Sequence, residues 1–441
     1  MQRLLLAVVV VLAALLLARD PYVDKADAFF LDWLLRNTPA SGDHAPLTVV
    51  EIGGGPTVET QPNQQAPGNS PESRSSAGAV SPLEFALFFQ GILEFKPTVV
   101  AVEPPLKWRE RDKNQEQVFL DQAMRVPKLL LSAELTSTPD PDAPPAEIPG
   151  FPHVSGRRGD LPTFTGIQRQ PDEDLRLIST IGYVNLPDVT TTHVPLLFNY
   201  RGEVIPAFAL QAFLTWARIP MSEVQIEIGS HIALPGGRKI PINWDGTLMV
   251  NPNWSKLGRR FTLNELLLLA QQRQKNSALE SLHEDLILAR TPSNLLAPAD
   301  VFAATIATLQ SKHFVRRVSM LFDGAVVLFI ALLASRAVRA SRVDLVLGLI
   351  AFTAAYCLIA FTVMARYTIW VPGLVPLGTA WLLGLLAFFW PRPKHRAEAT
   401  EIARGSATES PSRRPRRDDR RHHRRRHPHQ GVSERRQDRD G

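Results

Sequence analysis

Apolar residues in this chain are gathered into blocks, and the period inside each block differs. Leu4 to Ala18 is an unbroken run of fifteen apolar residues after Met-Gln-Arg. As a helix it spans about 22 Å, short of a hydrocarbon core of about 30 Å. Leu16 and Ala18 make a poor small-x-small cleavage site, so residues 1–18 read as an uncleaved membrane anchor, with a cleaved signal segment as the alternative. Three more apolar blocks lie near the other end, at 318–335, 345–365 and 369–390. Their short connections predict a compact antiparallel cluster of transmembrane helices. Trp370 and Trp390 bracket the last block as interfacial residues do, and Pro372 and Pro376 fall in its first turns. Gly348, Ala351, Ala355, Gly378 and Gly384 offer small faces for close helix approach.

Between these blocks, residues 19–317 carry the periods of a globular α/β domain. Arg19 to Arg36 is predicted helical, with Phe29, Phe30, Trp33 and Leu34 as a stripe that packs on the domain. Asp20, Asp24, Asp27 and Asp32 on the same segment read as a solvated face rather than a metal site. Short buried β runs at 47–52, 98–102 and 128–132 alternate with helical patterns at 82–95 and 114–125. That order predicts a parallel sheet covered by helices. The polar stretch from about 53 to 80 reads as a disordered insertion. From Ile181 the pattern shifts to short strands with Gly-rich turns, an antiparallel β subregion. Within it 181–185, 193–200, 224–228, 232–234, 239–242, 244–251 and 285–288 read as strands, and 207–216 and 263–272 as helices. A helix at 300–311 is expected to lead into the second membrane segment.

Charge sets the orientation. Arg336, Arg339 and Arg342 occupy the loop after the second block, and Arg392, Lys394 and Arg396 follow the last, whereas the loop between the third and fourth holds only Arg366. Positive-inside then places that first loop and the tail in the cytoplasm and residues 19–317 outside. The expected location is the inner membrane of a cell, multi-pass, with the large domain in the periplasm or outside. Asp323, inside the second block, is a functional candidate as an intramembrane acid, but six residues past Arg317 it reads more simply as lying near the outer headgroups. The net charge of +6 is misleading, because 391–441 alone holds 16 Lys+Arg against 8 Asp+Glu and the rest of the chain is net negative. The basicity belongs to a disordered Arg/His-rich tail whose expected partner is anionic lipid, with nucleic acid the weaker reading. Cys357 is the only cysteine, so no disulfide within the chain can form.

Candidate chemistry is sparse. Glu51 and Glu103 stand near the carboxyl ends of two predicted strands, where open α/β sheets place binding crevices. The two acids suit a cation or a cationic ligand, and with Lys107 and Arg109 they form a candidate ligand-binding set; the bland alternative is that the acids cap strands or pair with those bases or Arg111. Gly53-Gly-Gly-Pro56 lacks the spaced glycines and Lys-Ser/Thr of a phosphate loop and reads as a turn. The histidines of the globular part are scattered and neither Gly-x-Ser-x-Gly nor His-Glu-x-x-His occurs. No catalytic residue, metal site or cofactor is expected, and the protein is not expected to be an enzyme.

The layout carries a resemblance. Ile181-Gly-Tyr-Val-Asn185, Val194-Pro-Leu196, Gly202-Glu-Val-Ile-Pro206 and Ile242-Asn-Trp-Asp-Gly246 running to Val250-Asn251 are similar to motifs of the type-two CHASE sensor domain, an extracytoplasmic module of bacterial membrane receptors. Glu51 and Glu103 stand where that family usually has aspartate. The resemblance implies one N-terminal membrane helix, a periplasmic sensor domain, and three membrane helices before a cytoplasmic output. About fifty residues follow Trp390, too few for a catalytic domain. The expected function is therefore a membrane-anchored sensor of a small-molecule or envelope ligand that signals through a separate cytoplasmic partner. A scaffolding envelope protein that binds another protein and no ligand is the alternative. A homodimer is an assembly this layout allows.

Overall fold

The computed structural model describes residues 2–17, 20–39, 44–53, 81–106, 113–138, 147–186, 192–275, 282–291, 300–337 and 341–389. Lys107 and Arg109, the stretch 54–80 and the Arg/His-rich tail lie outside the described residues. The chain divides into two units, Met1–Phe388 and Phe389–Gly441. All the described elements belong to the first, apart from the last residue of the final helix.

Helices α1 (Gln2–Leu17) and α2 (Pro21–Asn37) precede β1 (Leu47–Glu51). Then come α3 (Pro82–Leu93), β2 (Val99–Val102), α4 (Lys113–Ala123) and β3 (Leu129–Thr136). Small strands β4 (His153–Ser155), β5 (Thr163–Phe164) and β6 (Gly166–Arg169) lead through α5 (Glu173–Ile178) to β7 (Thr180–Tyr183). Next are β8 (His193–Pro195), β9 (Leu197–Tyr200), β10 (Glu203–Pro206) and α6 (Phe208–Ala217). A run of short strands comes after α6: β11 (Gln225–Glu227), β12 (His231–Ala233), β13 (Lys239–Pro241) and β14 (Thr247–Met249). The 3-10 turn Pro252–Leu257 enters β15 (Arg259–Thr262), α7 (Leu263–Lys275), β16 (Leu286–Arg290) and α8 (Val301–Ser311). The chain continues through β17 (Arg316–Arg317), α9 (Met320–Ala337), α10 (Arg342–Tyr367), β18 (Ile369–Trp370) and α11 (Leu374–Phe389).

The local code is clear at α3. Ser81 and Glu84 form a reciprocal capping box, and Pro82 takes the first helical position. Phe85, Phe88, Phe89 and Ile92 then recur at helical spacing and are fully buried. The helix stops where Lys96 adopts φ 53° ahead of Pro97. Phe85 and Phe89 meet Phe119 of α4, at ring-centroid distances of 6.4 and 5.5 Å. Truncating Phe89 to alanine at such a site costs about 3–5 kcal/mol.

The main sheet runs β15-β1-β16-β2-β3-β6, with β7 also paired to β3. Every pair is parallel except β3–β6. One face is covered by α3, α4 and α7. The other carries Leu47, Val49, Val99, Ala101, Leu286 and Leu288 against Phe208 of α6 and Phe302 and Ile306 of α8. The expected parallel sheet is therefore present, and it is larger than the sequence pattern suggested. The segments 181–185 and 285–288, read as part of the antiparallel subregion, supply β7 and β16 to it, and β16 inserts between β1 and β2. Antiparallel pairing is confined mainly to β8–β14, β9–β10 and β11–β12–β13. The predicted strand 193–200 divides at Leu196, where pairing passes from β14 to β10: the Leu196 amide donates to the Gly246 carbonyl and its carbonyl accepts from the Ala207 amide.

The apolar helices differ from expectation in several respects. Among the described residues α10, with 26 residues, is the one helix long and apolar enough to cross a membrane, while Val8–Leu17, Leu321–Ala334 and Leu374–Phe389 are shorter. Helix α8 does not run on into α9, because Lys312 turns left-handed and Arg316–Arg317 pairs as a strand with Ile369–Trp370. Pro372 lies before α11, not inside it. Trp370 is 4% exposed beneath the Arg317 guanidinium, so it packs against protein and does not project outward from the helix cluster. Asp323 is buried, 3.9 Å from Arg317. A Cβ on Gly384 would overlap Leu349 of α10, whereas Gly348 and Gly378 face open space. The α2 stripe divides: Leu34 is buried, but Phe29 and Trp33 face outward. Asp27 is no part of a solvated face, since it is buried and accepts from the amides of Gly373 and Leu374 at 2.9–3.1 Å, at the first turn of α11.

Candidate functional site

Side chains alternate along a strand, so residues in register share a face. Thr262, Glu51 and Arg290 are in register on β15, β1 and β16. Continuing the ladder past Ala289–Val102 brings Glu103 beside Arg290, and the Glu103 amide donates to the Ala289 carbonyl at 2.9 Å. One more step brings Ser132 of β3 beside Glu103, and Ser132 is in register with Gly182 of β7. Two residues back along β1, β16, β2 and β3, the same face carries apolar Val49, Leu288, Ala101 and Leu130. The sheet thus ends, at its carboxyl edge and toward α8, in a polar row of Thr262, Glu51, Arg290, Glu103, Ser132 and Gly182.

Arg290 is the centre of the row and is 7% exposed. Its guanidinium pairs with Asp300, the residue that precedes α8, which adopts φ 66°. Arg260 of β15 reaches the other Asp300 oxygen at 2.6 Å and Glu51 at 3.8 Å. A guanidinium buried in this way is tolerable only when paired. Nε of Arg290 and the hydroxyl of Ser132, which is 1% exposed, have no hydrogen-bond partner among the described residues. Three carboxylates and two guanidiniums leave this group net negative by one.

Glu51 and Glu103 therefore do stand where the strand ends predicted. They do not face one another, because β16 and Arg290 lie between them. A cation shared by the two carboxylates would have to displace a buried guanidinium. Arg290 and Arg260 instead converge on one carboxylate, Asp300, at the start of α8. Arg260, Arg290, Asp300 and Ser132 were absent from the sequence-based set. The Asp285–Leu288 strand signal was legible, but its central position, which makes Arg290 important, was not.

A second feature is a cavity of about 260 Å³ at the β3–β7 edge, lined by Ile148, Ile167, Arg176, Tyr183, Gln211 and Met221 among others. Burial, with a smaller contribution from Tyr200, holds the Tyr183 hydroxyl protonated well above its ordinary range. Helix α6 closes over this edge tightly, since a Cβ on Gly182 would lie 2.9 Å from Phe208 Cα. No group of three or more metal-ligating side chains occurs among the described residues.

No known family model matches the chain, and no curated protein or solved structure is significantly similar to it.

Proposed function

We propose that the chain is a membrane-anchored ligand-binding sensor, with its α/β domain outside the cytoplasm and its response passed to a separate cytoplasmic partner. The observation that carries this reading is the Arg290–Asp300 pair. It ties the polar row to the start of α8, and the chain after α8 pairs through Arg316–Arg317 with Ile369–Trp370 and then enters α9. A small ligand bearing a carboxylate or phosphate takes Arg290 from Asp300 and releases the α8 N-terminus. Val315, just past α8, packs with Met364 of α10 and Trp370, so a shift of α8 reaches the apolar helices. Coupling of this kind needs a ligand that binds the two states unequally, which competition for Arg290 provides. Support for the membrane layout comes from the length and exposed apolar face of α10, the segregation of apolar blocks and the distribution of arginines. The similarity of layout to the type-two CHASE receptors points the same way.

The test is a thermal-shift screen of the full chain in detergent against small carboxylates and phosphates. A ligand at a hundred times its Kd stabilises the folded state by about 2.7 kcal/mol. The expected result is a shift with the native chain and none with Arg290→Met. A hit that Arg290→Met retains removes the polar row from the proposal. A chain that answers to no anion and is recovered in a stoichiometric protein complex under all conditions is a scaffold.

A further inference from the structure

Helix α2 has two apolar faces. Leu31, Leu34 and Leu35 are fully buried against Met249, Val315, Met364 and Trp370. Tyr22, Ala26, Phe29 and Trp33 stand at i, i+4, i+7 and i+11, within an arc of about 60° on the opposite side of the helix. Tyr22 is 80% exposed, Phe29 86% and Trp33 50%. A helix on the surface of a soluble domain presents polar residues on its outer face. Here the outer face is aromatic, and polar Asp32 and Arg36 pair along the flank at 2.8 Å.

The position of α2 identifies what covers that face. At its carboxyl end Asn253 Nδ2 donates to the carbonyls of Arg36 and Thr38 at 2.9 and 3.0 Å, which fastens α2 to the globular domain. Midway along, Asp27 accepts from Gly373 and Leu374, which fastens it to the start of α11. Trp33 lies 6.5 Å from the ring of Phe361, in the last two turns of α10. The exposed aromatic face is therefore continuous with the exposed apolar surface of α10, where Leu358 and Ile359 are 67% and 58% exposed.

We infer that α2 lies in the outer interface of the bilayer that α10 crosses, with Tyr22, Phe29 and Trp33 seated at the boundary between headgroups and acyl chains. The inference rests on the proposed crossing of a membrane by α10. Tyr and Trp suit this zone because each joins an apolar ring to a polar tip, and an interfacial helix buries one face only to that depth. The occupant is lipid and not a second protein, because the face continues a helix surface that is itself apolar and outward-facing. One consequence is mechanical: the domain, through Asn253, and α11, through Asp27, are both referenced to the lipid surface by the same helix.

The experiment uses the full chain with Cys357→Ser, reconstituted in lipid vesicles and labelled with a small environment-sensitive fluorophore at one introduced cysteine. Phe29→Cys and Tyr22→Cys report on α2, Leu358→Cys on α10, and Leu177→Cys, at a residue 80% exposed on α5, on the globular domain. Lipids brominated near the glycerol or at mid-chain quench according to depth, and aqueous iodide quenches labels in water. The expected result is strongest quenching of the Phe29 and Tyr22 labels by shallow bromines, of the Leu358 label by deep bromines, and of the Leu177 label by iodide alone. If the Leu358 label is quenched only by iodide, the membrane reading itself fails. If Leu358 reports lipid while Phe29 and Tyr22 report water, α2 is not interfacial. Labels on α2 shielded from both quenchers show a protein partner or a second copy on that face, which also overturns the inference.

Discussion

Replacing Arg290 tests the link on which the proposed signalling depends. Arg290→Met keeps the aliphatic bulk and removes the guanidinium, so Asp300 keeps only one of its two cations and Glu103, 2% exposed, gains an apolar neighbour. Breaking a buried pair from one side typically costs about 3–5 kcal/mol. Asp300→Asn should cost less, about 1–3 kcal/mol, because the amide still accepts a hydrogen bond and asparagine tolerates the left-handed backbone at φ 66°. If the two side chains act on one another, the double variant should be more stable than additivity predicts by about 2 kcal/mol. Urea unfolding of the detergent-solubilised full chain, followed by tryptophan fluorescence, reads these differences as midpoint shifts at constant slope. Additivity to within about 0.5 kcal/mol would refute the coupling. Equal single costs would show that the burial of Arg290 is not what makes it sensitive.

Particular contacts elsewhere carry their own consequences. Gly182→Ala forces Phe208 and the start of α6 away from β7, with an expected loss of about 1–3 kcal/mol in the same unfolding assay. A cost near zero would mean that α6 moves freely. Asp27→Asn weakens the clasp on α11 by about 1–2 kcal/mol, and hydrogen exchange at the Gly373 and Leu374 amides should quicken. Unchanged exchange would show that the carboxylate does not hold them. Burial raises the Tyr183 ionisation above the ordinary tyrosine value of about 10, so its contribution to stability is complete below that pH and is lost as pH rises beyond it. Tyr183→Phe should flatten that alkaline loss, and identical alkaline profiles for the two proteins would exclude it.

Much of the layout was legible because it depends on local period. Helix α3 announces itself by Ser81-Pro-x-Glu84 and the spacing of its phenylalanines, and β1, β2 and β3 by short β-branched and leucine runs. Glu51 and Glu103 could be placed at strand ends by the same means. The adjacency of strands could not, because β16 joins the sheet from more than two hundred residues beyond β1, a pairing that leaves no local trace. Local period likewise could not say which face of α2 turns inward, since Phe29 and Leu34 are both apolar and only the neighbours distinguish them.

The sequence by itself determined that this protein has an α/β domain framed by apolar segments, and that two glutamates end two of its strands. These features come from periodicity and from residue chemistry, which act over a few positions. The tertiary structure alone decided that a buried arginine separates those glutamates, that Asp300 holds it, and that Asp27 serves α11 and not solvent. Such partners are distant along the chain, and burial and charge pairing select them only once the sheet and helices have packed.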